Sequence, residues 1–342
     1  MKALVTGGGG FLGRAIVQRL LARGDSVRIF ARGEYPDMAA QGAEVLRGDV
    51  QDASAVAAAC KGCDTVFHVA GRPGIARPYM LYHGPNVVGT ETVLAGCRAH
   101  GIGRLIFTSS ASVVFDGSDM EGVDESVPYP RHYEAYYPQS KAMAEQSVLA
   151  ANSPALATVS IRPHLIWGPG DTQLLPRIIA RAKTLRRIGP VDKKVDSTYV
   201  DDAADAHMLA CDRLRPGSPI AGRAYFISQG EPRGVWELVN GILAAAGLPP
   251  VTRSVPRWAA LAVGATLEAV HWLARLETEP RFTRFLVREL STAHWFNIAA
   301  ARRDLGYAPR VTVDEGLRRL SEWLRTADGM ARLNSALKSQ PA

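Results

Sequence analysis

A glycine-rich turn between an apolar strand and an apolar helix constrains the fold of this chain more than any other feature. Residues 2–6 have the composition of a short buried strand, and residues 11–22 carry apolar side chains at helical spacing. At their junction, Gly7, Gly10 and Gly13 stand three positions apart. Glycines with this spacing permit a tight turn, close approach of the backbone to a phosphate, and close packing of helix on strand. We therefore expect the amino-terminal end of the helix to face the pyrophosphate of a dinucleotide.

Strand and helix signals alternate through the first half of the chain. After the first strand, strands are predicted at 26–31, 44–46, 65–70, 105–109 and 158–162, and helices at 52–60, 86–100 and 137–151. Repeated units of this length predict an α/β fold with a parallel sheet covered on both faces. The expected arrangement is the doubly wound Rossmann fold.

The second half has a looser pattern that predicts a smaller, mostly helical part. Residues 1–165 make up the predicted cofactor domain, and segments near 195–228 return to it, with a further strand at 224–228. Loop-forming residues begin after this domain. Residues 166–194 and 229–342 are expected to bind and cover the substrate.

The end of the second predicted strand indicates which dinucleotide is bound. An acidic residue is expected there when the ribose 2′-hydroxyl is recognised, but this chain has Ala31 followed by Arg32. A guanidinium suits a 2′-phosphate, so we expect NADP(H) rather than NAD(H); the alternative is that Arg32 points into solvent. Asp49, after the third strand, could accept a hydrogen bond from the adenine amino group or could cap a turn. Small residues at 69–71 would let the backbone lie against the cofactor.

Tyr137 and Lys141 are one helical turn apart and form the candidate catalytic pair. Reduction of a carbonyl needs a hydride at carbon and a proton at oxygen. A tyrosine can supply that proton if its pKa is brought down from about 10, and the ammonium of Lys141 would lower it. Ser110, just after a predicted strand, could donate a hydrogen bond to the substrate oxygen. The alternative is a chance spacing on a surface helix, but the preceding glycine turn argues against it.

These motifs together resemble the extended short-chain dehydrogenase/reductase family, which includes nucleotide-sugar epimerases and 3β-hydroxysteroid dehydrogenases. The matching segments extend over nearly the whole chain and are 6–13, 49, 86–90, 108–110, 137–141, 162–163 and 199–204. The resemblance implies that Tyr137 donates or accepts the proton, that Lys141 also binds the nicotinamide ribose, and that Ser110 orients the carbonyl. It also implies that Asn86 holds the active-site helix and that Pro163, with the loop after it, borders the nicotinamide.

The cofactor contacts expected from the motifs and the resemblance follow the glycine turn and the carboxyl ends of the strands. They are Gly7, Gly10, Phe11, Leu12, Gly13, Arg32, Asp49, Val50, Val69, Ala70, Gly71, Thr108, Tyr137, Lys141 and Pro163. The four cysteines include one closely spaced pair and no second pair, so no metal is expected.

Later stretches of the chain resemble a narrower group within this family. The stretches at 162–171, 194–199, 224–228 and 282–286 are similar to the reductases of 2-alkyl-3-oxoalkanoic acids in bacterial long-chain olefin biosynthesis. This similarity implies that NADPH reduces the 3-keto group of a long-chain 2-alkyl-3-oxo acid, and that the 3-hydroxy acid passes to a β-lactone synthetase. The alternatives are a 3β-hydroxysteroid dehydrogenase-like oxidoreductase, a nucleotide-sugar 4-epimerase, and an NADP-binding regulator without catalysis.

Charge is concentrated in one segment of the chain. The formal net charge is +7, and residues 177–194 contain seven basic side chains and one acidic side chain. This segment is either a solvated helix and loop, or a basic rim that attracts an anionic cofactor, an anionic substrate or an acidic partner. No nucleic-acid module is visible, so no nucleic acid is expected as a partner.

The remaining expectations concern location and assembly. The beginning of the sequence lacks the long apolar core of a secretory signal, which favours the cytoplasm. The apolar stretch 258–274 is too short and too interrupted to span a membrane. It is interpreted as a buried or partner-facing helix, with contact to a membrane surface as the alternative. We expect a homo-oligomer that could assemble with β-lactone synthetase and other enzymes of the olefin pathway.

Overall fold

The computed structural model describes residues 1–74, 79–274, 276, 280 and 282–338. The strands in these residues are β1 (Lys2–Thr6), β2 (Ser26–Ala31), β3 (Glu44–Arg47), β4 (Thr65–His68), β5 (Arg104–Thr108), β6 (Met120–Val123), β7 (Ala157–Pro163), β8 (Ile166–Trp167), β9 (Arg187–Ile188), β10 (Lys194–Val195), β11 (Thr198–Tyr199), β12 (Arg223–Ile227), β13 (Arg233–Gly234), β14 (Ser254–Val255) and β15 (His294–Phe296).

The α-helices in the same residues are α1 (Phe11–Ala22), α2 (Pro36–Ala40), α3 (Ala53–Cys60), α4 (Met80–Tyr82), α5 (Gly89–Ala99), α6 (Tyr136–Ala150), α7 (Leu174–Arg181), α8 (Val200–Arg213), α9 (Val235–Ala245), α10 (Arg257–Leu273), α11 (Arg284–Glu289), α12 (Val313–Leu324) and α13 (Ala327–Lys338). Shorter turns are π-helical at His83–Val88 and Ala301–Leu305, and 3₁₀-helical at Ala111–Val114.

The central sheet confirms the predicted Rossmann fold. Within the described residues it has seven strands, all parallel to their neighbours, in the order β12–β7–β5–β4–β1–β2–β3. The order in which strands are added reverses at β1: β2 and β3 follow on one side of it, and β4, β5 and β7 follow on the other. In doubly wound sheets, ligands bind at this switch point, beyond the carboxyl ends of the strands.

Strand β1 shows why the central strands are continuous apolar runs. Ala3 and Val5 belong to one core cluster together with Ile16 of α1. Leu4, between them, belongs to a second cluster with Val93 of α5. Because successive side chains face opposite sides of the sheet and both sides are buried, the strand shows no alternation of polar and apolar residues.

Most predicted elements match the structure to within two residues, and the differences have local causes. The strand predicted at 65–70 ends at His68, because the N–H of Ala70 turns to donate to Thr6 Oγ1 (3.2 Å). The helix predicted at 86–100 begins earlier, in the π-helical turn His83–Val88. The segment predicted at 224–228 returns to the sheet as β12, beside β7.

Segments from the second half of the chain cover the carboxyl ends of the central strands. Within the described chain, a smaller sheet has the order β13–β10–β15–β6. It therefore joins Met120, in the first half of the chain, to His294 in the second half. Helices α7, α9 and α11 bring further side chains over the same edge of the central sheet.

Helix α10 differs from the buried interpretation of the stretch 258–274. Of its residues, only Ala260 and Gly264 are buried. Trp258 is 74% exposed, and Trp272 and Leu273 are 66% and 72% exposed. The buried interpretation is therefore wrong, and the helix presents a broad apolar face to its surroundings. Among the described helices, none has the length and apolar character needed to cross a bilayer.

Candidate active site

A cavity of about 960 Å³ runs along the carboxyl ends of β1, β2, β4, β5 and β7 and continues beneath α7, α9 and α11. Every cofactor and catalytic residue predicted from the sequence lies in its wall. We call the wall residues up to Pro163 the cofactor half, and those from His164 to His294 the substrate half. The structure thus brings the predicted site residues together around one space.

The glycine turn forms a backbone cradle at one end of the cofactor half. Gly7 has φ +68°, and a Cβ atom there would lie 2.8 Å from Cα of Ala70. A Cβ atom on Gly13 would collide with the carbonyl oxygen of Gly7. Gly10, at the start of α1, provides no side-chain cap, so the first N–H groups of the helix remain available. This cradle fits the pyrophosphate of a dinucleotide.

Arg32 and Asp49 lie at the outer end of the cofactor half, where the adenosine is expected. The Arg32 side chain is exposed at the border of the cavity. Asp49 Oδ1 accepts hydrogen bonds from the backbone N–H (2.9 Å) and the side-chain amide (3.1 Å) of Gln51. Asp49 therefore caps a turn while it borders the cavity beside Val50. Sequence reasoning missed Tyr35, whose side chain also lines this end.

Tyr137 and Ser110 meet in the cavity wall. Tyr137 lies in the first turn of α6, and Ser110 follows β5 and caps the 3₁₀ turn. Ser110 Oγ is 2.8 Å from Oγ of Ser112 and accepts the N–H of Ser112 (3.2 Å), which orients the Ser110 side chain. Burial raises the pKa of Tyr137, and a hydrogen bond with Ser110 opposes that rise only in part. Two hydroxyls in this position can hold and protonate a carbonyl oxygen.

Lys141 lies one turn further along α6, beside the end of β5. Its Nζ donates to the carbonyl oxygen of Thr108 (2.6 Å) and lies 4.1 Å from the centroid of the Phe107 ring. Burial lowers the pKa of Lys141 to about 7, although the Glu145 carboxylate acts to raise it. The prediction that Lys141 lowers the pKa of Tyr137 is not met, because burial raises the pKa of the phenol and also disfavours the ammonium charge.

A buried ion pair fixes α6 against β7. Arg162 Nη2 lies 2.7 Å from Glu145 Oε1. Glu145 also accepts hydrogen bonds from Ser160 (2.6 Å) and from Tyr129 (2.7 Å). The buried Glu145 charge is tolerated because both of its oxygens accept hydrogen bonds. This network sets the position of the helix that carries the catalytic pair.

Asn86 ties the same helix to the loop after β4. Its Nδ2 donates to Ser140 Oγ (2.9 Å) and to the carbonyl oxygen of Arg72 (3.1 Å). Its Oδ1 accepts the N–H of Arg72 (2.7 Å). These contacts correspond to the role that the family resemblance implies for Asn86.

Two histidines and a glutamate at the border of the two halves were missed by sequence reasoning. His164 Nε2 lies 2.7 Å from His294 Nδ1, and His294 Nε2 lies 2.7 Å from the carbonyl oxygen of Glu289. Because a carbonyl only accepts, His294 donates through Nε2 and accepts the Nε2–H of His164. Burial lowers the pKa of both histidines and so disfavours a positive charge on the pair. His164 had a local signal, directly after Pro163, whereas His294 and Glu289 had none.

The substrate half combines a large apolar wall with a few titratable side chains. Its apolar residues are Leu165, Ile166, Leu174, Ile178, Leu185, Val195, Val235, Trp236, Leu238, Val239, Ile242, Phe285, Leu286 and Leu290. Its acidic and basic residues are Asp171, Arg177 and Arg181 from the α7 region and Glu289 from α11. Such a wall suits a hydrophobic substrate with a small number of polar groups.

The family comparison covers most of the chain. The model of the 3-beta hydroxysteroid dehydrogenase/isomerase family matches residues 4–257. The chain is 50% identical to a 2-alkyl-3-oxoalkanoate reductase of Stenotrophomonas maltophilia over 324 residues, which cover 94% of this chain and 98% of the relative. It is 46% identical to a protein of the same name from Shewanella oneidensis over 328 residues, which cover 93% and 85%.

Solved structures agree with this assignment. The structure of MoeE5 in complex with UDP-glucuronic acid and NAD superposes with a TM-score of 0.73 at 25% identity, covering 95% of this chain and 99% of that one. The relatives are named reductases and dehydrogenases, and the cradle described above fits the NAD of that solved structure. The chain therefore belongs to the 3-beta hydroxysteroid dehydrogenase/isomerase family, and it is an NAD(P)-dependent oxidoreductase of the extended short-chain type.

Proposed function

We propose that the chain reduces the 3-keto group of a long-chain 2-alkyl-3-oxoalkanoic acid to a hydroxyl group, with NADPH, in olefin biosynthesis. The main supporting observation is the continuous cavity, in which Tyr137 and Ser110 lie where the dinucleotide cradle meets an apolar compartment. Such a compartment suits alkyl chains better than the uridine and sugar of an epimerase substrate. The names of the relatives at 46% and 50% identity support the same substrate class.

The side chains of the site account for the proton transfer. When held in the cofactor half, reduced nicotinamide would supply the hydride for C3 of the substrate. Ser110 is placed to donate a hydrogen bond to the keto oxygen, where negative charge develops. Tyr137 then transfers its proton to that oxygen as the carbonyl π bond is lost. The raised pKa of Tyr137 suits this direction of reaction, because it keeps the phenol protonated until it donates.

Preference for NADPH is part of this proposal. Arg32 borders the cavity at the end of β2, where an acidic residue would favour a ribose 2′-hydroxyl. A guanidinium at that position can pair with a 2′-phosphate. Asp49 and Val50 line the same end, so the adenosine would lie between β2 and β3.

The proposed assembly and location follow from the exposed surface and the domain plan. We assign residues 1–165 and the returning segments near 195–228 to the cofactor part, and residues 166–194 and 229–342 to the substrate part. The exposed apolar face of α10 supports contacts with other chains, including a second copy and the β-lactone synthetase. We place the protein in the cytoplasm, with a hydrophobic β-keto acid as its substrate.

A substrate panel tests the proposed function. Purified protein should oxidise NADPH in the presence of a synthetic 2-alkyl-3-oxo acid, and mass spectrometry should identify the 3-hydroxy acid. A 3-ketosteroid and UDP-glucose serve as comparison substrates for the two enzymatic alternatives. Turnover of either comparison substrate without turnover of the acid would reject the proposal. Tight NADPH binding without turnover of any of them would favour the regulator.

A further inference from the structure

Two of the seven basic residues at 177–194 lie in the cavity wall. Arg177 and Arg181, one turn apart on α7, line the substrate half of the cavity. Lys183 and Lys194 are exposed and lie outside the cavity wall. Arg177 and Arg181 are therefore the residues that could bind an anionic ligand in the cavity. Lys183 and Lys194 form part of the solvated surface.

Asp171 holds the beginning of α7 and so helps to position Arg177. Its carboxylate accepts the backbone N–H groups of Gln173 (2.6 Å), Leu174 (3.1 Å) and Leu175 (2.9 Å). Burial raises the pKa of Asp171 to about 6, and these hydrogen bonds and the nearby Arg177 act against that rise. Its oxygens accept backbone N–H groups at the beginning of α7, the helix from which Arg177 lines the cavity.

Glu289 connects Arg177 to the catalytic tyrosine. Its carboxyl group is close enough to Tyr137 to raise the pKa of the phenol. Burial raises the pKa of Glu289 itself to about 7, and the nearby Arg177 guanidinium acts against this rise. Tyr137, Glu289 and Arg177 line the same cavity, and Arg177 contributes a positive charge to its substrate half.

The substrate class requires such a charge near Tyr137. In a 2-alkyl-3-oxo acid, the carboxylate carbon is bonded to C2, and C2 is bonded to the keto carbon C3. When Tyr137 and Ser110 hold the keto oxygen, the carboxylate must therefore contact the part of the cavity wall next to these two residues. An anion in an apolar cavity is strongly disfavoured without a charged partner. A guanidinium is well suited, because its planar N–H groups can bind both carboxylate oxygens.

We propose that Arg177 binds the carboxylate of the substrate and makes the enzyme select the 2-substituted 3-oxo acid over the corresponding ketone. This inference rests on the proposed function, since it names the subsite that the reduction of such an acid requires. Arg181, one turn along α7, adds positive charge to the same wall.

The subsite has a second consequence, because β-keto acids lose carbon dioxide. That loss breaks the C1–C2 bond, whose electron pair forms the C2–C3 double bond of an enol while the keto oxygen takes a proton. Hydrogen bonds from Tyr137 and Ser110 to the keto oxygen would promote this reaction as well as reduction. Pairing with Arg177 opposes it, because carbon dioxide is neutral and its departure would end the ionic contact.

Paired substrates and variants test this subsite. Arg177→Met and the control Lys183→Met are compared on a 2-alkyl-3-oxo acid and on the ketone that lacks the carboxylate, with NADPH. For the acid, Arg177→Met should raise KM about tenfold or more, while kcat/KM for the ketone stays within about twofold. A larger fraction of the acid should also lose carbon dioxide and be recovered as the ketone, or as the alcohol formed when that ketone is reduced. Lys183→Met should behave as the parent.

The possible outcomes separate this proposal from the proposed function. Equal losses on acid and ketone, or an unchanged KM for the acid, would overturn the subsite while the parent still reduces the acid. Failure of the parent on the acid would instead overturn the proposed function. NADPH binding checks that Arg177→Met is folded. Should it not be, Arg177→Lys provides the test: it should retain part of the acid preference, because the charge remains while the two-pronged contact is lost.

Discussion

The two halves of the cavity are built from the chain in different ways. The cofactor half contains backbone and small side chains at the ends of neighbouring central strands, such as Gly7, Ala70 and Thr108. The substrate half is made of large side chains from segments far apart in the sequence, such as Arg177 and Glu289. The cofactor half therefore suits a dinucleotide, whose pyrophosphate is recognised by backbone geometry. Substitutions of side chains in the substrate half can alter which substrate is bound.

The two halves also differ in how exposed their charged side chains are to solvent. In the cofactor half, the outer end is exposed and holds Arg32 near solvent. In the substrate half, burial raises the pKa of Asp171 and Glu289 to about 6 and about 7. Charge at the outer end acts through a screened, polar environment, whereas a change of charge in the substrate half has a larger energetic effect.

Replacing the hydroxyl at the meeting point of the halves should have the largest effect. We expect Tyr137→Phe to lower kcat by about 10²- to 10⁴-fold, because no other hydroxyl in the described wall is on the same helix turn, while NADPH binding persists. Tyr136→Phe is the matched control, since Tyr136 packs against Tyr79 outside the cavity wall. Steady-state kinetics and NADPH fluorescence measure the two quantities. Turnover close to that of the parent in Tyr137→Phe would exclude the proposed proton donor.

The glycine cradle should show the next largest effect, and it should be confined to the cofactor half. In Gly7→Ala, the new Cβ meets the Ala70 backbone at a residue with φ +68°. We expect a loss of about 1–3 kcal/mol in stability and a rise of about tenfold or more in the Kd for NADPH. Gly24→Ala is the control, because Gly24 also has positive φ (+82°) but has open space around it. An equal rise in Kd for both variants would show that backbone strain, and not the cradle, controls binding.

The contrast between the halves explains what the sequence could predict. Gly7, Gly13 and Tyr137 belong to short motifs whose spacing has a direct geometric meaning, so their placement around one cavity could be expected. His294 and Glu289 reach the site only because β15 and α11 fold over the sheet, and no local spacing signals that packing. For α10 the sequence left the buried and the partner-facing interpretations open, because an apolar stretch has the same composition in either case.

The pH dependence of the free energy of unfolding tests the effect of burying a carboxyl group in the substrate half. The pKa of Glu289 is about 7 in the folded chain and about 4.3 when unfolded. Between these pH values the unfolded chain releases the proton and the folded chain keeps it, so the parent loses stability as pH rises through this window and then levels off. Glu289→Gln should escape this loss and exceed the parent at pH 8 by about 1–3 kcal/mol. Denaturant unfolding at pH 5 and pH 8 measures the difference. An advantage that does not grow with pH would show that Glu289 is ionised in the folded protein.

The smallest effect is expected at the exposed end of the cofactor half. Arg32→Ala should lower kcat/KM for NADPH by about tenfold, equivalent to about 1.4 kcal/mol, because a solvent-exposed contact to a 2′-phosphate is screened. It should leave kcat/KM for NADH nearly unchanged, since NADH has no phosphate there. Arg98→Ala, on the exposed surface of α5 and outside the cavity wall, is the control for a lost positive charge. Added salt should reduce the preference of the parent for NADPH and should have little effect on Arg32→Ala. If kcat/KM falls equally for NADPH and NADH, Arg32 contacts the adenosine and not the 2′-phosphate. The preference for NADPH would then depend on other residues of the cofactor half.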